Sequence, residues 1–259
     1  MRLTPFIAPL LLVTLGTLAV SACSSGSSGS TPPPPAPAGK RVDAAVAGSI
    51  AGKVIFTGTP PAREPIRMGS DPACKENAGP NPQSDAVLVS KDGALQNAFV
   101  YVKDGLDPSY TFEPVTTPVV LDQKGCTYVP RVLGVRVNQP VVLTNDDATF
   151  HNIHALPTTN REFNHGLAVK GQTQQEVFTK PEVMVRVKCD VHGWMAAWVG
   201  VVAHPFFAVS AADGSFALTG VPPGTYTVEA WHERFGTQTA QVTVTIHQAQ
   251  AVAFSFAAK

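Results

Sequence analysis

From about residue 47 the chain alternates apolar and polar positions in short runs separated by turn residues. A period of two marks strands that bury one face. The run Gly48-Ser49-Ile50-Ala51-Gly52-Lys53-Val54-Ile55-Phe56 reads as such a strand and stops at Gly58-Thr59-Pro60-Pro61. A loop-rich stretch with Cys74 and Asn81-Pro82 follows. Strand patterns resume over 86–90 and 98–103, with Lys91-Asp92-Gly93 as the turn between them. Beyond about 115 the pattern is clearest. Val119-Val120-Leu121 leads to Tyr128-Val129-Pro130, two strands joined by a turn fill 135–145, and 173–178 pairs with 183–188 across Lys180-Pro181. A run over 197–202 follows, then Asp213-Gly214 and Pro222-Pro223-Gly224 turns frame strands up to Trp231, and 237–246 and 250–256 supply two more. No stretch beyond the N-terminal segment sustains helical periodicity. The pattern predicts an all-β chain, naturally arranged as a Greek-key sandwich or barrel.

Composition agrees. Of 259 residues, 44% are hydrophobic, enough for one or two cores, and only 15% are charged against 21 glycines and 23 prolines. A formal net charge of zero offers no electrostatic footprint for nucleic acid.

Residues 1–22 read as a targeting segment: Arg2, an apolar run from Leu3 to Val20, then small Ser21-Ala22. Val20-Ser21-Ala22-Cys23 resembles a bacterial lipoprotein lipobox. The resemblance implies cleavage before Cys23, a lipid on its thiol and, with Ser24 next, an outer-membrane anchor facing the periplasm. A retained membrane helix is the alternative, although 18 residues barely span a bilayer. Residues 23–46 read as a tether, whose Ser-, Gly- and Pro-rich part from 24 to about 40 has a reach of roughly 20–25 Å.

The chemistry concentrates at His151 and at Cys189-Asp190-Val191-His192-Gly193-Trp194-Met195. Two imidazoles, one thiolate and one thioether form the ligand set of a mononuclear blue-copper site. Asn145-x-Asp147-x3-His151-Asn152-Ile153-His154, together with Cys189-x2-His192-x2-Met195, resembles the cupredoxins and among them the amicyanin-like and plastocyanin-like members. The likeness covers about residues 115–203. It implies one type 1 copper ion held by His151, Cys189 and His192, with Met195 axial. It also implies that the Asn152 amide bonds the thiolate while its side chain ties the two ligand loops together. A lone Met in an apolar run is ordinarily core, and Met195 precedes Ala196-Ala197-Trp198, so packing is the competing reading. In such loops the second histidine has its ring edge at the surface, and Gly193, Trp194 and Phe150 would surround His192 as an apolar docking patch for a redox protein. Core packing competes for Trp194. Val191 and Gly193 stand where amicyanin-type loops carry proline. A second N–H···S bond from Val191 would therefore raise the reduction potential. His154 would crowd the site and reads as structural or surface, and His165, His204, His232 and His247 have no spacing argument.

Asp213-Gly214-x-Phe216-x-Leu218-x3-Pro222-Pro223-Gly224-x-Tyr226-x-Val228 resembles the carboxypeptidase regulatory-like, transthyretin-like β-sandwich, a small Ig-like fold. In that family an early Gly-x-Val strand pairs with later ones, which Ile50–Phe56 would fit. The expected organisation is a signal segment at 1–22, a tether at 23–46, N-terminal strands at 47–110 that could belong to the regulatory-like sandwich, a cupredoxin domain at 111–205 and the regulatory-like sandwich at 206–259. The copper region would then be an insertion.

Cys23 and Cys189 thus have roles, leaving Cys74 and Cys126. In an exported chain these are expected to form a disulfide, closing about 50 residues and contributing roughly 4 kcal/mol; two buried free thiols are the alternative. The functional expectation is a single-electron carrier, not an enzyme. Lys188 and Asp190 flank Cys189 where multicopper enzymes need a histidine, and the loop has no second thiolate for a binuclear centre. A copper storage or delivery lipoprotein and a structural or carbohydrate-binding surface lipoprotein stand as alternatives.

Overall fold

The computed structural model describes residues 39–69 and 71–258. The expected signal segment, Cys23 and the expected tether up to residue 38 lie outside the described residues. All described residues belong to one compact unit. Its elements are β1 (Gly48–Thr57), α1 (Pro72–Asn77), β2 (Phe99–Asp104), β3 (Val119–Lys124), β4 (Thr127–Val129) and β5 (Val132–Arg136). Next come β6 (Val141–Asn145), β7 (His151–Leu156), β8 (Phe163–Leu167), β9 (Thr173–Glu176), β10 (Glu182–Lys188) and β11 (Ala196–Val202). The C-terminal strands are β12 (Phe207–Val209), β13 (Ser215–Val221), β14 (Gly224–His232), β15 (Gly236–Val244) and β16 (Ala249–Ala257).

The alternation predicted an all-β molecule, and the strands pack as two sandwiches. One faces β5-β11-β10-β7-β8 against β4-β3-β6-β9. Leu121, Leu143, Ile153, Val185, Val187 and Val199 fill its core. The other faces β13-β1-β16 against β12-β2-β14-β15, around Ile50, Val54, Val100, Leu218, Val228 and Phe254. Strand β1 runs parallel to β16 and antiparallel to β13, and β2 pairs with β14. The first sandwich is therefore threaded into the second between β2 and β12.

A third apolar cluster joins the two around Phe99, Tyr101, Val132 and Val202, with Trp198 and Trp231 against it. Gly134 and Gly200 are register partners in the parallel β5–β11 pair. A Cβ on Gly200 would come within 2.5 Å of the Phe99 ring, and one on Gly134 within 2.4 Å of the Phe207 ring. Only hydrogen at both positions lets these rings lie flat on the strands. Buried Arg131 bonds Asp85 and Glu233 across the same junction.

The structure departs from the pattern at two places before β2, and the second bears on the site. Residues 86–90 form no strand, only the single bridge Val89–Leu95. The stretch around Cys74 contains α1, where Asp71 accepts from the Ala73 and Cys74 amides and Pro72 occupies the first turn. A six-residue helix shows no periodicity, but Asp followed by Pro is a helix-start signal.

Candidate metal centre

Strand β10 ends at Lys188, opposite His154 of β7, so that pairing brings His151 and Cys189 to one end of the sandwich. The loop from Cys189 to Met195 closes on itself. The Cys189 amide donates to the Met195 carbonyl at 3.3 Å, and the Met195 amide to the His192 carbonyl at 2.9 Å. His151 Nδ1 and His192 Nδ1 stand 2.9 Å apart, and Cys189 Sγ is 3.8 Å from His192 Nδ1. All three residues are at most 2% exposed, and Met195 is buried in the same core cluster as Cys189.

Proton bookkeeping follows from the outer ring edges. His151 Nε2 lies 3.1 Å from Asp147 Oδ2, and His192 Nε2 lies 3.1 Å from Asp71 Oδ2. Ionised carboxylates only accept, so both rings donate through Nε2 and turn Nδ1 toward the sulfur. Burial opposes charge on His151, but hydrogen bonds to Asp147 and Cys189 outweigh it and raise the ring to about 9. His192 is lowered, first by burial. Burial alone would push the Cys189 thiol up. Hydrogen bonds from His151 and from the Asn152, His192 and Val191 amides bring it below its ordinary value. The His192 amide is 3.4 Å from Sγ. Two imidazole nitrogens and an acidified thiol thus converge on one buried point and share protons there. This donor set fits a soft or borderline metal cation, which would take the protons' place.

Asn152 ties the His151 strand to the Cys189 loop. Its Oδ1 accepts from the Asp190 amide at 2.7 Å and lies 3.3 Å from Cys189 Sγ, while Nδ2 donates to Asp190 and Asn164. Tyr128 and Gln123 both donate to the Asn152 carbonyl. His154 points elsewhere and bonds Asp190 and Glu162.

The expected surface edge of His192 is corrected. Asp71 and Thr149, neither of which the motif spacing had marked, and the Cys74–Cys126 disulfide close over it. Asp71 Oδ2 also accepts from Thr149 Oγ1 at 2.8 Å, and Cys74 Sγ lies 3.7 Å from His192 Nε2. The disulfide is present, with its Cα atoms 5.4 Å apart. Trp194 is half-buried, donates to the Cys126 carbonyl at 3.0 Å and packs on the His192 ring. Of the expected apolar patch, Phe150 and Gly193 are exposed, and Val191 joins them. Asp71 is pulled two ways: burial raises its carboxyl, but bonds from Thr149, the Cys74 amide, His192 and Ala73 hold it at about 2. Two further donor groupings, Cys74-His151-His192 and Cys126-Asp147-His151, fall within 4.8 Å. Their sulfurs are bonded to each other and offer no thiolate, which leaves Cys189 as the free thiol among the described residues.

A family model described as the carboxypeptidase regulatory-like domain matches residues 199–257. No curated protein matches the chain as a relative. Solved structures similar to it include the Cu-containing nitrite reductase NirK of Thermus scotoductus SA-01, 22% identical over 37% of this chain and 24% of that one, with a TM-score of 0.31. The chain thus spans about a quarter of that enzyme's length. A purple cupredoxin of Nitrosopumilus maritimus is 24% identical over 32% of this chain and 97% of its own, with a TM-score of 0.28. A single-substitution variant of amicyanin in its oxidised state is 26% identical over 32% and 81%, with a TM-score of 0.30.

Proposed function

We propose that the chain carries single electrons through one type 1 copper ion bound by His151, Cys189 and His192, with Met195 as a weak axial donor. The observation behind this reading is the convergence of two Nδ1 atoms and one sulfur at a buried point, with both Nε2 atoms already committed to carboxylates. Bound copper would supply the one-electron couple. The chain's own residues hold still around it. Asp147 and Asp71 orient the rings, Asn152 spans the ligand loops, and three amides face the sulfur. Rigid donors need little rearrangement between oxidation states, which keeps the transfer barrier low. Nothing next to Cys189 relays electrons to a second centre, so the protein is read as a carrier and not an enzyme.

The lipobox-like segment at Cys23 and the tether suit an anchor on the cell envelope facing the periplasm. A redox protein partner would meet the exposed side chains nearest the loop, Val191 and Phe150, rather than the covered His192 edge. The enclosed His192 argues against storage or delivery, which requires easy exchange. Adding Cu(II) to a chain from residue 24 onward should give an intense visible thiolate-to-copper band that Cys189→Ser abolishes. A colourless or zinc-only protein would overturn the reading.

A further inference from the structure

The geometry points to Asp71 as the positioning residue for His192, imported to the metal centre by a disulfide-clamped helix. The inference rests on the copper reading and adds a residue to that site. Four donors converge on this one carboxylate. Oδ1 accepts the Ala73 and Cys74 amides, and Oδ2 accepts Thr149 Oγ1 and His192 Nε2.

A neutral imidazole has two tautomers, and only the one with a bare Nδ1 can serve at the point where His151 Nδ1 and Cys189 Sγ meet. An acceptor fixed at Nε2 selects that tautomer and fixes the ring plane. For His151 the acceptor is local, Asp147, four residues away. For His192 it arrives from 121 residues upstream.

The disulfide makes this delivery definite. Cys74 lies in α1, three residues past Asp71, and is bonded to Cys126 at the β3–β4 turn. The Cys126 amide in turn donates to Asp147 Oδ2 at 2.8 Å, and the Gly125 amide to Asp147 Oδ1 at 2.8 Å. The two ends of one covalent bridge therefore carry the carboxylate partners of both rings. The clamp sets the rings relative to each other as well as to the sulfur.

The test reads the tautomer in metal-free, disulfide-intact chain from residue 24 onward, with histidines labelled with ¹⁵N and followed by long-range ¹H–¹⁵N correlation. Wild-type His192 should be the Nε2–H form. Asp71→Asn can still cap α1 but turns an amide donor toward the ring, and Asp71→Ser keeps the cap alone. Both should convert His192 partly or wholly to the Nδ1–H form. Glu76→Ala, at an exposed position of the same helix, should leave the tautomer alone. In chelator competition the two Asp71 variants should bind copper about 10- to 100-fold more weakly. An unchanged tautomer in both Asp71 variants, or affinities within twofold of wild type, would overturn the assignment. Because the tautomer needs no copper, a chain that shows the shift yet binds none would defeat the electron-carrier reading and leave Asp71 in place.

Discussion

At the scale of single residues, Val191 tests how the loop sets the potential. Its amide is one of three facing Cys189 Sγ, alongside those of Asn152 and His192. Donors to a thiolate stabilise it most where it holds most charge, beside the reduced metal. Val191→Pro removes one such donor without changing a ligand. If that bond is worth about 1.4 kcal/mol, the reduction potential should fall by on the order of 60 mV. Voltammetry of the two proteins checks this, and an unchanged potential would show the amide to be a bystander. The candidate donors were legible in the sequence as a pattern because three of them sit in one seven-residue loop. Asp71 was not: no local spacing links it to a histidine 121 residues later.

At the scale of elements, β14 carries an acid-sensitive point into the second core. His232 ends that strand only 1% exposed, stacked on Phe235, with Nδ1 accepting the Arg234 amide and Nε2 without a close hydrogen-bond partner among the described residues. Burial pushes the ring down to about 4. The sign follows from proton uptake. Between pH 6.5 and 4 the unfolded chain gains a proton that the folded chain refuses, so stability falls as pH falls through this window. The loss from this residue is about 3 kcal/mol. His232→Phe should flatten that part of the pH–stability curve measured by denaturant unfolding. Equal losses in both proteins would mean that other groups carry the acid sensitivity. Element types followed the alternation well where strands bury one face, as in Val185 and Val187 of β10 on either side of exposed Arg186. Helix α1 escaped it because six residues are too few to show a period.

At the scale of the molecule, the sandwich that carries the candidate metal centre is held inside a second sandwich whose own strands close around it. Thr57 bonds the Phe256 carbonyl 199 residues away, and β1 runs beside β16 for nine residue pairs. Such long-range pairing leaves no local signal. It was foreshadowed only by the likeness of β1 to an early strand of the regulatory-like fold. The third cluster, with Phe99 lying on Gly134 and Gly200, ties the two cores together, so the metal centre sits on a frame larger than its own sandwich. Rigidity of that kind suits a site whose donors must not move as charge changes. The most direct measurement is a spectroelectrochemical titration of the copper-loaded chain. The account predicts one copper per chain, a blue band that bleaches and returns along a single one-electron curve, and metal retained against a chelator in both states. No blue band, or copper lost on reduction, would contradict it.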